Sequence, residues 1–380
     1  MNLDHLCHIS KTIGQQTLGM YVADETFAPK KSPLHDRHQV LNAQFIVFGD
    51  TLWVDCYGDN LKNEYLQLTT HVAVCDITPV SMISISGAGI IESMLPYFTN
   101  KKLTSKKPGS MIYGGFVRNG KLVDDGMIFV VSGQELFLTI NLAMAEFQEV
   151  FSPDFLATVQ FTDLTDRFIK LQLQGPEADQ LVHEMFQIRP LPFFHFQTVD
   201  DVIFARCGFT LPGGYELYLP LDKGVACWDE LIRRGVTPYG ISVMEISRVE
   251  SLKICHGQEF GAEIFTPAEV GLADDTAEDG TAESMRVRLA YLVSDPIDET
   301  VESALPEIGN VLHNGAGTPC GIITSFVYSP WYDRYVGFCQ MQGDVACHRV
   351  PFRSNGLNLI VTSLRDAKIL LAELQKAERQ

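Results

Sequence analysis

Two passages of this chain share one plan, and they restrict the fold more than anything else in the sequence. In SMISISGAGIIESMLPYF, residues 81 to 98, an alternating run from Met82 to Ser86 meets Gly87 and then an apolar-periodic stretch. In FIKLQLQGPEADQLVHEMF, residues 168 to 186, a second alternating run meets Gly175, with Pro176 at a plausible first helical position. Each reads as strand, tight glycine turn, helix. They start about 90 residues apart, too far for a solenoid repeat but suited to two related α+β half-domains.

The block between them is strand-rich. MIYGGFVRNGKLVDDGMIFVVSG carries Asn119-Gly120, a strong hairpin signal between apolar strands, and a second turn is expected at Ser132-Gly133. After Gly175 the pattern gives strands at DVIFARCGF and YELYLP, a turn at LPGG, and helices around ACWDELIRRG and GISVMEISRVESLK. The acidic DDTAEDGTAESM, residues 274 to 285, reads as a linker or mobile loop. Beyond it RVRLAYLVS, GIITSFVYS and YVGFCQM predict a mainly β module closed by an amphipathic helix. The expected organisation is a first α+β module over 1–160, exchanging segments with a second over 161–273, and a C-terminal β module over 274–380.

Charge and composition narrow the function classes. The chain has 380 residues and a formal net charge of -18, with no dense Lys/Arg run. Such a surface repels nucleic acid and anionic membranes and suits a small cationic substrate. Nine cysteines without a C-x-x-C pair read as reduced thiols of a cytoplasmic protein. No apolar run approaches the roughly 18 residues of a membrane helix. Mononucleotide, zinc-protease and hydrolase signatures are missing, and GAGTPCG has Cys320 where a dinucleotide loop needs its last glycine. Of ten histidines, His5 pairs with His8 and His35 with His38, and both pairs read as solvated rather than metal-binding. No metal is expected.

Two carboxylate positions stand out. Asp124-Asp125 follows the Asn119-Gly120 hairpin, and strand alternation would send one carboxylate inward and the other to solvent. An inward one could hold or protonate a ligand nitrogen, although the spacing equally fits a hairpin-end pair facing water. Glu216 interrupts the apolar strand of Tyr215, Leu217 and Tyr218. It can accept two parallel N–H groups such as the amidine edge of a pterin, or simply face solvent. Aromatics cluster at LPFFHF, residues 191 to 196, and at Phe209, Trp331 and Tyr332. Their faces can bind a planar ring or a methylated cation, and equally they can be core.

In order along the chain, these pieces resemble the glycine cleavage system T-protein family of folate-binding aminomethyltransferases. The similarity begins at SPLHDRHQVLNAQFIVFGDTLWVDCYGDNLKNEYLQLTTHVAVCDITPV. It runs through PGSMIYGGFVRNGKLVDDGMIFVVSG, KLQLQGPEAD, GFTLPGGYELYLP, SRVESLK and TPAEVGLA to the YSP and VPF elements. It leaves out about 30 N-terminal residues and the C-terminal tail. No single motif decides it; their order and spacing do.

The resemblance implies an α+β fold of three modules arranged as a clover leaf with a C-terminal β-barrel-like module. It also implies tetrahydrofolate as co-substrate. The second Asp of the family's D-D motif falls on Asp125, the expected catalytic residue near the reacting folate nitrogen. The family Glu that grips the pterin edge falls on Glu216, and Tyr113 matches a folate-wall tyrosine. Asn141 and Arg248 match polar family positions, completing the expected cofactor set. Phe194 and Phe209 would face the methyl groups of an onium donor, with Arg206 as a cation for its carboxylate.

Departures point away from the T protein itself. Its D-V-S-H-M is here Asp76, Ile77, Thr78, Pro79 and Val80; its A-R-D is here Val243, Met244 and Glu245. GFTLPGGYELY is more similar to the dimethylsulfoniopropionate demethylase branch. The expected reaction is therefore methyl transfer from a small onium donor to N5 of tetrahydrofolate. A T-protein aminomethyltransferase, with a lipoyl-protein partner, is the alternative. A non-catalytic iron–sulfur assembly protein is another, since KICHGQE resembles that group's K-G-C-Y-x-G-Q-E with its spacing off by one. The expected partner is a small-molecule methyl donor, not nucleic acid or membrane, and a homodimer remains open.

Overall fold

The computed structural model describes residues 28–48, 50–209, 213–261, 263–273, 287–295, 306–342, 350–354 and 357–377. The acidic stretch 274–285 and nearly all of the N-terminal 30 residues lie outside them. The chain divides into two compact units. Among the described residues, one comprises 28–119 and 123–244, and the other 120–122 and 245–377.

The first unit contains β1 (Ala43–Phe48), β2 (Thr51–Tyr57), β3 (Ala73–Asp76) and β4 (Ser81–Ser86). Next come β5 (Met111–Arg118), β6 (Lys121–Ser132, whose first two residues group with the other unit), β7 (Glu135–Ile140) and β8 (Gln160–Asp163). It closes with β9 (Phe168–Gln174), β10 (His195–Val199), β11 (Val202–Arg206), β12 (Tyr215–Pro220) and the short β13 (Thr237–Pro238). Two sheets organise it, in the orders β10-β11-β12-β9-β3-β13 and β5-β6-β7-β4-β8. β3, early in the sequence, is antiparallel to β9, with Ala73 opposite Gln174 and Asp76 opposite Leu171.

Side-chain alternation shows how the sheets are used. On β9, Ile169, Leu171 and Leu173 enter a core with Leu181, Trp228 and Leu231 from the helices Ala178–Phe186 and Leu221–Arg233. On β6 and β7, Ile128, Val130, Leu136 and Leu138 enter another core with Ile90, Met94 and Phe147 from helices on that sheet. The opposite faces of the two sheets meet each other, through Met82, Met111, Phe129, Ile203, Ala205 and Tyr218. Phe129 meets Tyr218 edge-on at 5.6 Å and Phe196 at 5.2 Å. The layers are therefore helices, sheet, sheet, helices.

Both strand–glycine–helix passages form as read: β4 precedes a helix at Ile90–Met94, and β9 precedes the one at Ala178–Phe186. Glycine is sterically required at both turns. A Cβ on Gly87 would lie 2.8 Å from the Thr158 carbonyl oxygen; one on Gly175, at φ +130°, would lie 2.4 Å from that of His71. Asn119 and Gly120 have φ of 52° and 74°, the two left-handed residues of a tight hairpin.

In the second unit β14 (Val287–Ser294), β15 (Val311–Asn314), β16 (Pro319–Ser329), β17 (Arg334–Gln342), β18 (Val350–Ser354) and β19 (Leu357–Ser363) close into a six-stranded barrel. The helix Leu364–Ala377 follows it. GAGTPCG is the turn between β15 and β16, running strand to strand with no helix behind it, so it is no dinucleotide loop. The fold is α+β with a closed C-terminal barrel.

One reading is corrected here. His35 and His38 are buried, not solvated. His38 Nε2 meets Asp76 Oδ2 at 2.9 Å, its Nδ1 meets the Tyr57 hydroxyl at 2.8 Å, and its ring sits edge-on to Trp228. The Thr78 N–H donates to Asp76 Oδ1 at 2.9 Å, and the Ser32 and Thr78 hydroxyls donate to the same carboxylate. Burial alone would raise the Asp76 pKa, but His38 and the hydroxyls outweigh it and hold it below the ordinary carboxylate value. A depressed folded-state pKa contributes stability that is complete above the unfolded value, about 3.9, and is lost as pH falls through the folded one. Asp76→Asn should therefore melt below wild type at neutral pH, with the gap narrowing below about pH 4. A gap that stays constant in melts from pH 7 to 3 would rule this coupling out.

Candidate active site

The space between the two sheets is apolar around Phe129 and Tyr218 and polar toward one end. Strand parity places the polar groups. On β6, Asp125 has the parity of Met127 and Phe129; on β5, Tyr113 has that of Met111; on β12, Glu216 has that of Tyr218. Both carboxylates singled out in the sequence thus project from facing sheets toward one inter-sheet region. Asn141 is exposed and Tyr113 and Glu216 are partly so, which leaves that end within reach of solvent.

Asp124 and Asp125 are both buried, which corrects the expectation that one faces solvent. Asp124 accepts the N–H groups of Asp125 (2.8 Å), Asn141 (3.1 Å) and Leu142 (3.0 Å), and the Asn141 side-chain amide at 2.7 Å. Four donors take the place of water around this buried carboxyl group. It joins β6 to the chain leaving β7. Asp125, turned the other way, accepts the Tyr113 hydroxyl at 2.6 Å and the Asn141 amide at 3.0 Å. Three expected site residues, Tyr113, Asp125 and Asn141, are therefore in direct contact.

Glu216 lies opposite Gln172 of β9 and Ala205 of β11. Tyr218 donates to its Oε2 at 2.6 Å, and Cys207 and Gln172 also hydrogen-bond it. Burial pushes its carboxyl above the ordinary glutamate value, with those three partners opposing the rise. Gly213 has a left-handed φ of +95°, and a Cβ on Gly214 would lie 2.5 Å from the Gln174 side-chain oxygen. Phe194 packs at the edge of the inter-sheet core, with its ring 4.4 Å from that of the exposed Phe193, and its carbonyl accepts the Met111 N–H. Phe209 is partly exposed.

The two expected arginines are placed differently. Arg206 has the opposite parity to Ala205, so it leaves the inter-sheet face, donating to Asp179 at 2.5 Å and to the Leu191 carbonyl at 2.6 Å. Tyr215 binds the same Asp179 at 2.8 Å. Arg248 groups with the barrel unit and is 1% exposed. It donates to Glu245, Glu259, Gln258, Ser325 and the Lys253 carbonyl. Its five N–H groups all have protein acceptors, which corrects its assignment to a ligand. The orientation of Arg206 likewise removes it from a donor pocket on the inter-sheet side.

Sequence reasoning passed over Lys170, Gln172 and Tyr239. Lys170 and Gln172 alternate with the apolar residues of β9, and such a pattern is normally read as a solvent face. Here a second sheet covers it. Lys170 Nζ donates to the carbonyls of Thr78 (2.7 Å), Val80 (2.6 Å) and Thr165 (3.1 Å), and burial lowers its pKa to about 8. No group of three or more His, Cys, Asp or Glu residues able to hold a metal occurs among the described residues, and no helix among them is long and apolar enough to cross a membrane.

Removing the two aspartates should separate structure from chemistry. Asp124→Ala strands three backbone donors, one of them fully buried, and should cost about 3 kcal/mol. Asp125→Ala, which removes the acceptor of the Tyr113 hydroxyl and the Asn141 amide at the end nearer solvent, should cost clearly less in the same denaturant titration. Equal losses would mean that Asp125 is as structural as its neighbour.

Comparison with known proteins shows the family and the fold. The family model described as the GCVT N-terminal domain matches residues 34–275. An aminomethyltransferase of Aquifex aeolicus is 26% identical over 316 residues, covering 81% of this chain and 86% of that protein. One of Staphylococcus saprophyticus is 23% identical over 341 residues, covering 83% and 91%. The crystal structure of glycine cleavage system aminomethyltransferase T from Bartonella henselae superposes with a TM-score of 0.78 at 20% identity, over 89% of this chain and 98% of that one.

Proposed function

The chain belongs to the GCVT N-terminal domain family, and from that membership we propose that it is an enzyme moving a one-carbon unit between a small substrate and tetrahydrofolate. The observation that carries this reading is Asp125, held by Tyr113 and Asn141 on the inter-sheet face that Glu216 also faces. Glu216 anchors the pterin by its amidine edge, since one carboxylate accepts two parallel N–H groups. Asp125 lies toward N5. As a new bond forms from N5 to the incoming carbon, the N5 proton has to leave, and a fixed carboxylate accepts it. Alignment of the two reactants supplies the rest, on the order of 7–11 kcal/mol in favourable cases.

The identity of the one-carbon unit rests on two kinds of support. The matched relatives bear the name aminomethyltransferase, which favours aminomethyl transfer with a lipoyl-protein partner, release of ammonia and methylenetetrahydrofolate as product. The second reading is methyl transfer from an onium donor such as dimethylsulfoniopropionate. It is supported by GFTLPGGYELY and by the altered stretches Asp76–Val80 and Val243–Glu245. An onium carbon already carries a good leaving group, so this reaction too needs only alignment and a proton acceptor.

Asp125→Asn should lower turnover by a hundredfold or more, in the ~10²–10⁴ range of a lost proton-transfer group, while tetrahydrofolate still binds. The substrates to supply are tetrahydrofolate with an aminomethyl-lipoyl carrier, or with a panel of onium, methylamine and methoxy donors. Methylenetetrahydrofolate identifies the first reaction and 5-methyltetrahydrofolate the second. If the wild-type protein yields neither, or Asp125→Asn stays active, the proposal fails.

A further inference from the structure

Gln172 is buried in the middle of its sheet with Glu216 directly opposite on β12 and Cys75 on β3. It hydrogen-bonds Glu216. Its Oε1 accepts the hydroxyl of Tyr239 at 2.5 Å. Tyr239 follows β13, with its own N–H on the Val74 carbonyl at 2.9 Å and its side chain completely buried. Burial pushes its hydroxyl well above the ordinary tyrosine value, so it stays an O–H donor at any physiological pH.

This chain of contacts has a direction. A primary amide has acceptor lone pairs on its oxygen and two donors on its nitrogen. With the Tyr239 hydroxyl donating to Oε1, the NH₂ group is left to face Glu216. Turning the amide over would set its oxygen against the Glu216 carboxylate, which opposes the turn, and would require the Tyr239 hydroxyl to rotate and accept instead of donate. An ionised carboxylate offers about four lone-pair sites. Tyr218, Cys207 and Gln172 are its protein partners, the thiol being the weakest donor of the three. What they leave of the carboxylate is open to ligand N–H groups.

We propose that Tyr239 and Gln172 are positioning residues that fix the orientation of the Glu216 carboxylate so that the part of it left open meets the amidine edge of the pterin. The inference rests on the reading that a pterin meets Glu216. It assigns the discrimination of that edge to a buried relay whose outer member never touches the ligand.

Its test is a pair of binding titrations on the full-length protein, with tetrahydrofolate and with an analogue whose 2-amino group is replaced by methyl. Wild type should prefer tetrahydrofolate roughly tenfold, the usual worth of a hydrogen bond to a charged group. Tyr239→Phe, which deletes one hydroxyl at constant shape, should reduce that preference to about threefold or less. Gln172→Met, near in volume and without donors, should do the same and serves if the tyrosine variant melts early. A purely structural role would weaken both ligands alike and leave the preference unchanged, which overturns the proposal. A wild type that binds tetrahydrofolate without preferring it overturns instead the pairing of Glu216 with the amidine edge. A wild type that binds neither ligand removes the pterin reading itself.

Discussion

The burial of Asp124 is the constraint on which the candidate site depends. A carboxyl group taken out of water is tolerated only where donors replace the water, and this one collects three backbone N–H groups and the Asn141 amide. Those donors come from β6 itself and from the chain leaving β7, so satisfying the group fixes both. Asp125 is then held one residue away, facing the other direction, with Tyr113 and Asn141 on its oxygens. A buried structural side chain thus places a neighbouring carboxylate at a solvent-accessible end of the inter-sheet space.

Much of the architecture was legible in the sequence, for local reasons. Glycines at 87 and 175 are demanded by carbonyl oxygens that a Cβ would strike, and Asn119-Gly120 by a turn that needs two positive φ angles. The alternation in β14, β16 and β17 is local as well. What could not be read was which face of a strand another sheet would cover. IKLQLQ has the pattern of a strand with one wet side, yet Lys170 and Gln172 are buried, because the second sheet packs across that side.

The same limit explains the site residues. Asp125, Tyr113 and Asn141 were identifiable because the resemblance carries them as one group on adjacent strands. Arg206 was expected for its charge and Arg248 for its match to a polar family position, and neither says which way a side chain points or what already binds it. Arg206 is one residue out of phase with the inter-sheet face, and Arg248 spends its donors on Glu245, Glu259 and their neighbours. His38 and Asp76, 38 residues apart in sequence, meet only through the tertiary fold.

The claim that joins these observations is that two carboxylates on facing sheets, Asp125 and Glu216, hold opposite ends of one bicyclic ring. A crystal structure of the protein with tetrahydrofolate bound tests it most directly. The ring should lie in the inter-sheet space with its amidine edge hydrogen-bonded to Glu216 and N5 beside Asp125. A pterin bound elsewhere, with both carboxylates still facing only protein and water, would contradict it.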